Sequence, residues 1–280
     1  SKAQDRKLVH FIGKDNIVFH AIIFPILLKN HGDFILPDNV PAYEFLNLEG
    51  DKFSTSRNWA VWLHEYLEAY PDKIDELKYV LTAIAPETKD SEFTWKEFQT
   101  RVNSELADIM GNFVNRIVKF AESKFDGVVP DAGEPGPLEA KLEADLRAGI
   151  AEATAQFEAM EFRKAAVALR ALWVLGNEYL QEAAPWTAFK TDVDRAAVGV
   201  RTGLNLVALF ARLAAPVMPF SAEKIAASVG ATDLSWPKPD EALLDVLPRG
   251  RAVAAQGVLF VKIEDAQVAD WSERFGGAGG

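Results

Sequence analysis

The densest run of side chains able to do chemistry is Lys52-Phe53-Ser54-Thr55-Ser56-Arg57. Lys52 gives a cation on a flexible stem. Ser54, Thr55 and Ser56 add three hydroxyls and three backbone N–H groups, and Arg57 adds a planar, permanently charged fork. Donors gathered at a helix N-terminus suit an anion, above all a phosphate. The preceding Glu49-Gly50-Asp51 reads as a tight turn in which Gly50 takes φ > 0. One reading is a mobile loop that closes on phosphates. The other is a capped helix start, with Ser56 as N-cap and solvated charges. A phosphate loop of the G-x-x-x-x-G-K-[ST] form is absent.

Two further groups of residues could bind something. Gly13-Lys14-Asp15 follows an apolar run, as a strand-to-helix turn does. In an open parallel sheet the ligand crevice lies at the carboxyl ends of strands, so Lys14 and Asp15 could meet a phosphate or a ribose hydroxyl. An ordinary turn with Asp15 as helix cap fits equally well, and His20 could be a packed core residue. Far along the chain, Asn115 carries an amide that can both donate and accept along a base edge. Trp186 follows Pro185 at a helix start, where its ring can stand clear of the core. On their own, the two residues also fit a polar helix face and a core tryptophan.

The elements that must position these groups are legible in part. Short apolar runs predict strands over 8–12, 34–36 and 43–48. The helix predicted over 16–30 is apolar nearly all round, hence expected to be buried, with a kink at Pro25. A half-sheet of this kind leaves an edge and one layer unpaired. Trp59, Trp62, Leu63, Tyr66 and Leu67 fall at helical spacing and predict a core-facing helix over 58–70. A second helix is predicted over 73–85, closed by Pro86. Helical periodicity runs over 94–125, opened by a Thr94/Glu97 capping box and weakened by Gly111, which suggests close approach of another backbone or an unexceptional soft spot. The Gly- and Pro-rich stretch 126–137 is a loop. Helices follow over 138–160, 161–183, 191–215 and 221–229, then a strand or an extended segment over 257–263 and a short helix over 267–275. The tail 276–280 is expected to be disordered.

Composition sets outer limits. Hydrophobic residues make up 49% of the 280, enough for a sizeable core. No uninterrupted apolar run of about 18 residues predicts a membrane helix, and Ser1–Asp5 does not read as a signal peptide. The absence of cysteine excludes disulfides and thiolate metal sites and fits a cytoplasmic location. A net charge of −11 argues against a nucleic-acid binder unless cations gather locally.

The order of the motifs resembles a known family. Lys52-Phe53-Ser54-Thr55-Ser56 is similar to the Lys-Met-Ser-Lys-Ser loop of class I aminoacyl-tRNA synthetases. Five stretches resemble methionyl-tRNA synthetase in particular: His10-Phe-Ile-Gly-Lys-Asp-Asn-Ile-Val-Phe-His20, Phe24-Pro25, Gly111-Asn-Phe-Val-Asn-Arg116, Ala184-Pro-Trp186, and Ile263-Glu-Asp265 after Leu259-Phe260. The resemblance covers nearly the whole chain. It implies a mainly α protein with a small α/β part: the second half of a Rossmann-type nucleotide-binding sheet over 1–57, a helical connector over 58–90 and an α-helical anticodon-binding bundle over 91–275. The implied activity is ATP-dependent attachment of methionine to its tRNA through methionyl adenylate, with magnesium as the usual counter-ion of ATP.

The resemblance also implies roles for residues. Gly13 and Asp15 would hold the ATP ribose, with Lys14, Lys52 and Arg57 near its phosphates. Lys52 would stabilise the developing pyrophosphate while Ser54, Thr55 and Ser56 shape the loop, and His20 would line the amino-acid pocket. Asn115 and Trp186 would read the CAU anticodon. The family's third reader is often an Arg one turn beyond the Asn, where Lys119 stands here, so either Arg116 would substitute or readout would be looser. Two departures stand out. Thr55 occupies the place of the loop's second lysine. None of His10, His20, His31 and His64 lies in the family's His-x-Gly-His signature, and without cysteine its zinc insertion is missing. The expectation is a C-terminal portion of a longer synthetase, unable by itself to form the adenylate. The alternative is a non-catalytic tRNA-binding or protein-interaction module on the same fold. No membrane partner is implied.

Overall fold

The computed structural model describes residues 6–54 and 56–275. They divide into two compact units, one built from residues up to 61 with 84–94 and those from 272 onward, the other from 62–83 and 95–271.

In the first unit, β1 (Ile12–Gly13) pairs in parallel with β2 (Ala42–Tyr43). A 3₁₀ turn (Lys14–Asn16), a π-helical turn (Phe19–Ile23) and α1 (Phe24–His31) form the crossover between them. Pro25 cannot donate to the turn before it, and the widened π turn lies there, where a kink is expected. β3 (Leu46–Leu48) pairs antiparallel with β4 (Asp51–Lys52) and parallel with β5 (Ser91–Phe93). Glu49 and Gly50 have φ of 47° and 85°, so a two-residue primed turn joins β3 to β4, with Gly50 left-handed as expected.

Four expectations need correction here. The strand over 8–12 shrinks to Ile12–Gly13, preceded by one bridge from Val9 to Asn39. Residues 34–36 form no strand. The run 43–48 divides between two sheets, because Tyr43 finds its partner in β1 and Leu46 in β5. The apolar crossover is not buried: Val18, Phe19, Ile22, Ile26 and Leu27 are each more than half exposed. An apolar composition all round asks for neighbours on every side, and this unit supplies few of them.

The second unit is helical. It begins with α2 (Leu63–Ala69) and α3 (Ile74–Ala83). The expected start of α2 near 58 fails, since Asn58 is left-handed (φ 52°) and Ser54 bridges to Trp59. Of the aromatic stripe only Tyr66 is fully buried, where it stacks on Trp95. α4 (Trp95–Arg101) runs through a π-helical stretch (Val102–Gly111) into α5 (Asn112–Lys124). A Cβ on Gly111 would lie 3.2 Å from the Leu106 carbonyl oxygen and 3.4 Å from the Phe260 ring. The small residue thus serves the π turn and a side chain rather than a neighbouring backbone.

α6 (Pro137–Glu158), α7 (Phe162–Ala183) and the short α8 (Pro185–Ala188) lead into α9 (Val193–Ala214). Every residue of α9 from Ala196 to Ala214 is buried. It is long and apolar enough to cross a membrane by composition, yet it is the central core helix of this unit. α10 (Pro219–Ser228) follows, and α11 (Asp265–Phe275) closes the described chain. The segment over 257–263 forms no strand and bends at 257, 259 and 260. Ile263 donates its N–H to Asn103 and its carbonyl accepts from Gln99 and Asn103.

Candidate nucleotide loop and nucleic-acid interface

In the first unit the signature loop is a hairpin arm followed by a turn, not a helix N-terminus. β4 carries Lys52, and the 54–59 bridge closes the turn that follows. Ser54 Oγ lies 3.2 Å from Ser56 Oγ and 3.4 Å from the Arg57 backbone N–H. Ser56 therefore caps no helix, and the helix-dipole contribution expected at this loop is missing. Thr55 lies outside the described residues.

The cations differ in their freedom. Arg57 donates to Asp51 at 2.6 Å, and that bond holds the Asp51 carboxyl below its ordinary range. Lys14 is bonded to the Glu44 carboxylate, which raises its ammonium above the usual value, and lies 3.6 Å from Asp90. Lys52 makes no ion pair among the described residues. Its ammonium faces the Phe45 ring at 5.4 Å, the ring that Lys14 covers at 4.4 Å. Phe45 thus brings the Gly13-Lys14-Asp15 turn and the signature loop together. A Cβ on Gly13 would meet nothing within 4 Å, and Asp15 is exposed, so the space beside this turn is open.

His20 is half-buried, and its Nδ1 lies 3.2 Å from the Nδ1 of His10. One ring donates and the other accepts. Phe45, Glu44 and His10 were not marked as site residues by their sequence, because each acquires its neighbour through strand pairing or the crossover. Among the described residues no group of three His, Cys, Asp or Glu side chains could hold a metal ion.

The second unit collects the base-reading candidates on α5 and α8. α7 ends in a left-handed Ala184 (φ 39°), which turns the chain into Pro185. Buried Pro185 lies against Gly199 of α9, where a Cβ would come within 3.2 Å of it. This close approach seats Trp186 beside α5. The Arg116 guanidinium lies 4.4 Å from the centroid of the Trp186 ring, and Phe120 meets that ring edge-on at 6.3 Å. Arg116, rather than Lys119, therefore reaches Trp186. Asn115 is half-buried while Asn112, Arg116 and Lys119 are exposed. Asn112 is four residues before Arg116 and shares its face, which Asn115 does not. The i, i+4 spacing of Asn112 and Arg116 was the available signal.

The family described as the anticodon binding domain of methionyl tRNA ligase matches residues 129–280, and that of the class I tRNA synthetases (M) matches residues 1–118. This chain belongs to the methionyl-tRNA ligase family. The methionine–tRNA ligase of Caulobacter sp. (strain K31) is 54% identical over 99% of this chain and 49% of the relative. That of Maricaulis maris (strain MCS10) is 50% identical over the same shares. Among solved structures, Mycobacterium tuberculosis methionyl-tRNA synthetase in complex with methionyl-adenylate matches with a TM-score of 0.79 and 29% identity, covering 90% of this chain and 49% of the other. The chain thus spans about half the length of the curated relatives it matches.

Proposed function

We propose that this chain supplies the signature loop and the anticodon-reading bundle of a methionine–tRNA ligase. The full-length protein would join methionine to ATP, release pyrophosphate and pass methionine to its tRNA. Such chemistry depends on positioning and charge stabilisation. Lys52 is the loop cation free to meet the developing pyrophosphate, and Gly13 and Asp15 border open space for the ribose. Magnesium would arrive on the phosphates of ATP. His20, fixed by His10, would line the amino-acid pocket. Residues 1–57 would serve the nucleotide, 58–90 would connect, and 91–275 would meet the tRNA. The exposed apolar crossover helix supports a further layer in the full-length protein.

At the anticodon, Trp186 would stack one base while Asn112 and Arg116, on one face of α5, read edges. Arg116 can fork onto a base edge in two places, which Lys119 cannot. Asn115 and Lys119 would flank them. The observation that carries this reading is the Arg116–Trp186 pair at 4.4 Å on an otherwise acidic protein.

The test separates two functions in the full-length protein. Lys52→Ala should slow ATP–pyrophosphate exchange and leave tRNA binding intact. Trp186→Ala should weaken tRNA binding by about 5- to 150-fold, one base stack, and leave exchange intact. Equal effects of both variants on both assays would sink the proposal. A second reading, a non-catalytic tRNA-binding module, is favoured by Lys14 and Arg57 being already paired with carboxylates. It requires that Lys52→Ala change nothing in the exchange assay.

A further inference from the structure

Along α5, Asn112, Arg116, Phe120 and Lys124 recur every four residues, a strip that winds round the axis by about 40° a step. Two of the four are cations, and each covers an aromatic ring from the segment after α7. Arg116 lies 4.4 Å from the centroid of Trp186, and the Lys124 ammonium lies 5.8 Å from that of Phe189. Phe120 stands between the pairs, edge-on to Trp186 at 6.3 Å and to Phe189 at 6.0 Å. Phe125 meets Phe189 edge-on from a further side at 5.4 Å, which fixes the plane of the ring. Arg116 and Lys124 are two helical steps of four residues apart, about 12 Å along the axis. One unit, an exposed cation over a half-buried ring, therefore occurs twice on a single strip.

We infer that Phe189 with Lys124 is a second nucleotide station, which takes an unpaired base of the anticodon loop outside the triplet and a phosphate beside it. The inference rests on Trp186 reading the anticodon. A base presents a π-face whatever its identity, so stacking on Phe189 adds affinity without selecting sequence. Lys124 acts as a point charge, suited to a phosphate rather than to a forked base edge. On a chain of net charge −11, a single-stranded polyanion can settle only where cations gather. α5 gathers Arg116, Lys119 and Lys124 against one carboxylate, Glu122, which already accepts the Ala255 N–H at 3.0 Å. The station thus contributes grip and salt dependence, while discrimination stays with the residues around Trp186.

The test uses the whole chain and an RNA hairpin bearing a CAU anticodon, with 2-aminopurine at the loop position next to the triplet. Phe189→Leu keeps apolar bulk but removes the ring. It should weaken binding by about 5- to 150-fold, abolish the stacking-induced quenching of 2-aminopurine, and leave the preference for CAU over a permuted triplet unchanged. Lys124→Gln, an exposed change that does not disturb packing, should lower the slope of log affinity against log salt by about 0.7. Unchanged quenching and affinity in Phe189→Leu, with an unchanged slope in Lys124→Gln, would overturn the station while a weakened Trp186→Ala leaves the anticodon reading intact. If Trp186→Ala also binds normally, the anticodon reading falls and the station with it.

Discussion

Replacing Glu76 by glutamine should stabilise the helical unit near pH 8 and change little near pH 4. Glu76 sits on α3 and is only 3% exposed. Burial pushes its carboxyl from the ordinary 4.5 up to about 7, with Asp72 and Asp75 adding to the rise and Lys73 opposing it. The folded state therefore binds this proton more tightly than the unfolded chain. Stability from the protonated form is fully present below pH 4.5 and is lost as pH rises through 7. At about 1.36 kcal/mol for each tenfold change in proton affinity, the ionised carboxylate costs about 3 kcal/mol. Glutamine has the same shape and never ionises, so it removes that cost, less whatever attraction Lys73 loses. The assay is urea unfolding followed by tryptophan fluorescence, since Trp95, Trp173 and Trp271 are fully buried in this unit. Glu76→Gln and the unaltered chain should converge in acid and separate above neutrality. Parallel stability curves across the whole pH range would refute the reasoning, because they would mean that Glu76 titrates as it does in water.

Two other positions give sharp outcomes. A Cβ on Gly203 would lie 2.6 Å from Ile117 Cγ1 and 2.9 Å from its Cδ1, so Gly203→Ala should cost about 1–3 kcal/mol by overpacking α9 on α5, read as a lower urea midpoint. Burial alone would raise the Glu139 carboxyl, yet bonds from Arg195 at 2.7 and 2.9 Å, from Tyr179 at 2.6 Å and from the Gly136 N–H hold it below its ordinary value. That contribution is present above the unfolded value of 4.5 and is lost as pH falls through the lower folded value. Glu139→Gln should therefore weaken the fold at neutrality, by about 2 kcal/mol since Arg195 keeps some access to water, and should flatten its acid sensitivity in the same unfolding assay.

Long helices were legible because their signal is local. The apolar spacing of Leu142, Leu146, Ile150 and Ala153 lies within α6 itself, and all four are buried. Strands were not, because a strand is defined by a distant partner. The run at 43–48 carries nothing that says Tyr43 will meet β1 while Leu46 meets β5. The same limit misplaced the start of α2: helical spacing of Trp59 and Trp62 cannot register that Ser54 pairs back onto Trp59. Gly50 succeeded for the opposite reason, since a left-handed turn position is demanded by its immediate neighbours.

The candidate sites divide along the same line. Lys52, Asp15 and Trp186 were marked by motif order, which needs no coordinates. Which cation serves which ring is a matter of helical phase and of how closely two helices approach. Arg116 and Lys119 are three residues apart on α5, so about 60° separates them around the axis. Only Arg116 meets Trp186, whose place is set by Pro185 resting on Gly199. Enlarging Gly199 would push the ring away from Arg116 without touching either residue. A glycine buried in the first third of the core helix thus governs the aromatic platform on the surface, and neither motif order nor spacing along α5 could have indicated it.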